Sequence, residues 1–110
     1  MHRLPPALAA TATLRILELL SSLEPSSGRV LELGFAGIHA RPLELAGWNV
    51  VVVEPDPAFR ARAAARAETV ADEPEGSFDA VVAPADADLT GVEAERIILV
   101  DEHGRASMSG

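Results

Sequence analysis

The chain has 110 residues, no cysteine and a formal net charge of −8 at pH 7. That length makes one domain with no room for a separate substrate-binding domain, and the missing Cys excludes disulfides, thiolate nucleophiles and Cys-based zinc sites. All nine basic residues are Arg and 48% of the chain is hydrophobic, so a folded core is expected, while the acidic balance repels phosphate backbones and makes nucleic acid an unexpected partner.

Pro5 and Pro6 open a helix of about 16 residues, in which Leu8, Ala12, Ile16, Leu19, Leu20 and Leu23 recur at helical spacing. Arg15 and Glu18 in its middle make it too polar for a membrane span or a signal-peptide core, so the chain reads as soluble and cytoplasmic. Residues 24–28 (EPSSG) form a linker. Residues 1–27 are therefore helix and linker, part of the same domain as the core at 28–110.

Residues 29–33 (RVLEL) read as a short strand followed by a Gly-containing loop at 34–39. Pro42 is tolerated only in the first turn of a helix, which places the helix start near His39 or Ala40, and Gly47 supplies a left-handed stop. The run NVVVVE at 49–54 fits a strand buried on both faces. Asp56 caps the next helix with Pro57 at its first position, and the helix runs to about Ala67. A very short strand fits 69–71, and a turn occupies 72–77. FDAVVA at 78–83 is a buried strand and 84–88 a loop. Thr90 and Glu93 have the spacing of a capping box and predict a short helix. RIILVD at 96–101 is the last buried strand, and the tail at 105–110 reads either as an edge strand or as a frayed end. Strands alternating with helices predict an α/β, Rossmann-like doubly wound fold: a mostly parallel sheet of about five strands with helices on both faces.

Two features carry chemistry. Gly34 and Gly37 follow a strand and precede a helix, where glycine permits a sharp bend and close approach of a ligand; an ordinary βα loop gives the same pattern. Glu54 ends the next strand, twenty positions after Gly34. A carboxylate there can accept both hydroxyls of a ribose, at about 1.5–3 kcal/mol per charge-assisted bond; a solvated strand-end carboxylate is the plainer alternative.

Together, VLELGFAGIHARPLELAGWNVVVVEPDP resembles motif I and the following acidic motif of class I S-adenosylmethionine (SAM) dependent methyltransferases. That family shows an acidic residue, then Gly-x-Gly-x-Gly, a helix, and a valine-rich strand ending in Asp or Glu. Glu32, Gly34 and Glu54 fall on matching positions. FDAVVAP is similar to the family's fourth strand and RIILVDEHG to its fifth, so the resemblance covers about 28–104. It implies SAM as cofactor. Glu32 would open the motif, Gly34, Phe35, Ala36 and Gly37 would cradle the methionine part, Glu54 would hold the ribose, and Asp72 would meet the adenine edge, with Val53, Pro55 and Ala71 lining the adenine slot.

The sequence also departs from the family. Ala36 and Ile38 stand at the second and third motif glycines, and Gly37 lies one position off. Pro42 delays the helix, the segments before and after the fourth strand are short, and no acceptor-activating motif is visible. The expectation is a SAM-binding methyltransferase-like domain of unknown acceptor. The alternative is a degenerate module without cofactor, serving as an interaction or dimerisation subunit with a homo-oligomer or protein partner. A third option is phosphate or nucleotide binding by the same loop. No catalytic residue is assigned and no metal is expected: Asp101, Glu102 and His103 read as a polar turn. His39 reads as an exposed residue at a helix start, with ligand contact as the alternative. Arg62 and Arg66 read as a solvated helix face.

Overall fold

The computed structural model describes residues 5–23 and 28–109. Most of the expected linker, at 24–27, lies outside the described residues, as does His2.

Helix α1 (Pro6–Leu20) buries Ala9, Ala12, Ile16 and Leu20, one stripe at three- and four-residue spacing. Pro6 sits at its first position, where a missing N–H costs nothing. At its other end the hydroxyls of Ser21 and Ser22 donate to the last-turn carbonyls of Glu18 (2.6 Å) and Leu19 (2.7 Å). Strand β1 (Arg29–Leu33) leads to α2 (Ala40–Leu45), whose third residue is Pro42 and which is followed by Gly47 at φ +103°. Strand β2 (Asn49–Val53) leads to α3 (Pro57–Arg66), capped by Asp56, whose carboxylate accepts from Ala58 N at 3.0 Å. Strands β3 (Val70–Ala71), β4 (Ser77–Pro84), β5 (Glu93–Val100) and β6 (Ala106–Ser109) complete the chain.

The expected class, α/β with a mostly parallel sheet, is the one found. The six strands lie in the order β3-β2-β1-β4-β5-β6, and only β6 runs antiparallel to its neighbour. The strand order reverses between β1 and β4, which makes that gap the topological switch point, where open α/β sheets bind ligands beyond their carboxyl ends.

The capping-box helix is not formed. Glu93 already pairs with Ser77 and begins β5. Gly91 takes φ +81°, which a helix cannot accommodate, and Asp88 Oδ1 binds both Thr90 N (2.9 Å) and Thr90 Oγ1 (2.6 Å). The local signal makes an Asx turn instead, and pairing with β4 takes the residues beyond it.

Buried side chains from all three helices meet one face of the sheet, against Val30, Val50, Val52, Ala80, Val82, Ile98 and Val100. On the opposite face Leu31, Leu33, Val53, Phe78, Val81 and Ala83 are buried with Ala87, Leu89 and Val92 of the β4–β5 connection packed beside them. In a doubly wound chain the β3–β4 and β4–β5 crossovers carry the helices of this second face. Here they are the short stretches 72–76 and 85–92, so a loop stands in for that helical layer. Among the described residues no helix is long and apolar enough to cross a membrane.

Candidate functional site

At the switch point β1 ends in Gly34, whose φ of +82° turns the chain and whose N–H donates to Val53 O at 3.0 Å. Directly after β2 stands Glu54, 6% exposed. Its Oε1 accepts the N–H of Ala36 at 2.8 Å and its Oε2 that of Asp56 at 2.9 Å. These bonds fix the carboxylate beside the glycine bend. Each oxygen keeps one further lone pair for a ligand.

A cavity of about 270 Å³ opens here. It is lined by Leu33 and Gly34 after β1, by Glu54, Pro55 and Asp56 after β2, and by Pro84, Asp86, Ala87 and Asp88 after β4. Four carboxylates and no arginine line it, so its field favours a cationic or neutral guest over a phosphate. Its volume lies just below the roughly 300–1,000 Å³ of common ligand pockets.

The structure brings Gly34, Glu54 and Pro55 together on that cavity. Glu32, Phe35, Ala36, Gly37 and Asp72 are not on its walls. Glu32 is fully buried, and its Oε2 accepts the N–H of His39 at 3.1 Å. Burial pushes its carboxyl up to about 8, against the opposing pull of the His39 and Gly37 N–H groups and of Arg66. Phe35 turns into the core, edge-on to His39 with ring centroids 4.9 Å apart. Gly37 backs onto α3, where a Cβ would lie 3.3 Å from Ala63 Cα. Its offset from the motif position thus has a packing reason: it lets the helix come close. Ala36, at φ +52°, is buried in the same loop, and its carbonyl accepts from Arg66 Nη1 at 3.3 Å. Asp72 is exposed at the far edge of the sheet, beyond β3. Val53 is buried and Ala71 half-buried on the second face.

His39 is buried, not exposed at a helix start. The short α2 tucks its first turn under the loop, and loss of water pulls the imidazole down to about 4. Asp101 accepts the N–H groups of His103 (2.9 Å) and Arg105 (3.0 Å) and so organises the β5–β6 turn. The Arg105 N–H bond holds its carboxyl below the usual range. Among the described residues no cluster of His, Asp and Glu is placed to hold a metal ion. The sequence reading missed Asp56, Pro84, Asp86 and Asp88 as wall residues. Their signal was positional, since the residues just after β2 and β4 flank the point where strand order reverses.

What fold and site define is an α/β domain with an acidic cavity at its switch point. Compared with known proteins, the sequence matches no family model and no curated protein.

Proposed function

We propose that the chain is a cytoplasmic SAM-binding methyltransferase-like domain whose methyl acceptor is unknown. The observation that supports this most is that Glu54 and Gly34, delivered by neighbouring parallel strands, line one cavity at the switch point. In this reading Glu54 receives the ribose hydroxyls on its two remaining lone pairs, already oriented by Ala36 N and Asp56 N. Gly34 and Pro84 bound the floor, and the acidic rim favours the sulfonium and ammonium charges. The chemistry such a cofactor supplies is an electrophilic methyl group. In this reading the chain's own part is binding and orientation.

A phosphate-binding reading finds little support in the loop. From Ala36 to Ala40 its N–H groups are already engaged, by Glu54, by Glu32, or by the loop's own carbonyls of Phe35 and Gly37. Titration calorimetry with SAM, S-adenosylhomocysteine and ATP tests the proposal. Heat and a thermal shift with the adenosyl ligands but not with ATP support it, and silence with all three at millimolar concentration overturns it.

The second reading is an interaction or dimerisation module. It is favoured by β6, an uncharged four-residue strand, Ala106–Ser109, at the edge of the sheet without the Lys or Pro that commonly blunts such edges. A monomer by light scattering that also binds SAM would dismiss it.

A further inference from the structure

The backbone of Ala36 is held on its two sides by opposite charges. Its N–H donates to Glu54 Oε1 at 2.8 Å, and its carbonyl accepts from Arg66 Nη1 at 3.3 Å. Glu54 follows the end of β2, and Arg66 is the last residue of α3. The same helix also holds Glu54 itself, since Arg60 Nε donates to the Glu54 carbonyl at 3.2 Å. Gly37 completes the contact: a Cβ there would lie 3.3 Å from both Ala63 Cα and Arg66 Cβ. Helix α3 therefore grips the glycine loop together with the carboxylate that the loop binds, although neither arginine is on the wall of the cavity.

Ala36 is where such a grip is needed. Among the described residues it is the one non-glycine in the left-handed region, at φ +52°. L side chains rarely adopt that conformation, and it persists only where the surroundings over-determine it. Left to itself the Ala36 backbone returns to negative φ, a rotation that cannot keep both its N–H on Glu54 and its carbonyl on Arg66. Glu54 Oε1 then loses its donor. Only the Asp56 N–H, 2.9 Å from Oε2, still orients the carboxylate.

We propose that Arg66 is a positioning residue for the switch-point cavity: by holding the Ala36 carbonyl it keeps Ala36 in its left-handed bend, and the bend keeps the Glu54 carboxylate in place on the cavity wall. A guanidinium suits the task because it is always charged, and a charge-assisted bond to a carbonyl is stronger than a neutral one. Ala36 stands at a motif position where glycine would adopt the bend unaided. Here the arginine of α3 supplies what the missing glycine does not. The consequence for a ligand rests on the SAM-binding reading, whereas the consequence for the bend does not.

A double-mutant cycle of Arg66→Ala with Ala36→Gly in the whole chain tests this, read by SAM calorimetry and by NMR of the ligand-free protein. Arg66→Ala alone is expected to weaken SAM binding by about five- to tenfold. It is also expected to move the Ala36 backbone resonances away from left-handed values and to lower the exchange protection of the Ala36 amide. In the Ala36→Gly background the bend needs no grip, so the same change weakens binding by less than about twofold. A role of Arg66 in packing or in overall charge predicts equal losses in the two backgrounds. Equal losses overturn the proposal, as do unchanged Ala36 resonances and protection in Arg66→Ala. If no form of the chain binds SAM, the cofactor reading fails and the NMR comparison decides the grip alone. If Arg66→Ala does not fold, Arg66→Gln, which keeps part of the stem but loses the charge and the reach, takes its place in the cycle.

Discussion

Glu54 Oε1 accepts the N–H of Ala36 at 2.8 Å, so the carboxylate that ends β2 holds the bend that ends β1. The residue assigned to the ribose is thus also part of the loop's scaffold. Removing it in Glu54→Ala strands a buried N–H at a cost of about 1–3 kcal/mol, so that variant is expected to lose both thermal stability and SAM binding. Glu54→Gln keeps the shape and one acceptor oxygen. Its NH2 faces one of the two N–H donors, so it is expected to lose some stability, less than Glu54→Ala, while weakening SAM binding by about tenfold or more, as one charge-assisted bond is lost. Calorimetry on both variants separates the roles, and wild-type affinity in Glu54→Gln would remove Glu54 from the ligand.

Adjacent loop positions should respond to substitution in opposite directions. Gly37 has φ +75° and faces Ala63, with Ala63 Cα at 3.3 Å and Ala63 O at 3.4 Å from where a Cβ would stand. Gly37→Ala therefore adds left-handed strain and crowds α3, a loss of about 1–3 kcal/mol. Ala36 holds φ +52° with a side chain already in place. Ala36→Gly relieves that strain and is expected to stabilise by up to about 1 kcal/mol, less the small loss of one buried methyl. Denaturant midpoints of the two variants, read at constant slope, check both signs.

The strands were legible because burial wrote them plainly. The four valines of β2 and the VV and II pairs of β4 and β5 are runs that only a sheet covered on both faces tolerates. Asp56 followed by Pro57 marked the start of α3, since cap and first-turn proline serve the same end. Thr90 and Glu93 misled because their spacing says nothing of Gly91 at φ +81° or of β4 waiting to pair. The site was legible where it depends on order along the chain: Gly34 and Glu54 close strands that the sequence itself places side by side. It was not legible where it depends on tertiary neighbours. Thr13 reaches His39 across 26 positions, and Asp86 and Asp88 come to the cavity only because β4 lies beside β1.

Helix α1 contributes to the same core as the sheet. Ile16 is fully buried with Val30, Ala80 and Ile98 in one cluster. Ile16→Ala is expected to cost about 2–5 kcal/mol and to melt the whole domain in one transition. A second, separate transition, or an unchanged midpoint, would show α1 to be an appendage.

Glu32 also sets how global stability varies with pH. Its folded pKa, raised from 4.5 to about 8, lies above the unfolded one, so the folded state holds a proton that the unfolded chain releases between those values. Its contribution is fully present below pH 4.5 and is lost as pH rises to about 8, after which it changes no further. At about 1.4 kcal/mol per unit the loss is of the order of several kcal/mol. His39 works the other way below 6.5, where acid charges it in the unfolded chain first, so its contribution is lost as pH falls towards about 4. Wild-type stability is therefore expected to decline between pH 6.5 and 8, the interval in which, of these two groups, Glu32 alone changes its charge. Glu32→Gln should hold its stability across that interval and gain on the wild type with each step upward. Chemical denaturation at half-unit steps from pH 6 to 9 measures the difference, and parallel curves for the two proteins would show that Glu32 carries its charge in the folded state.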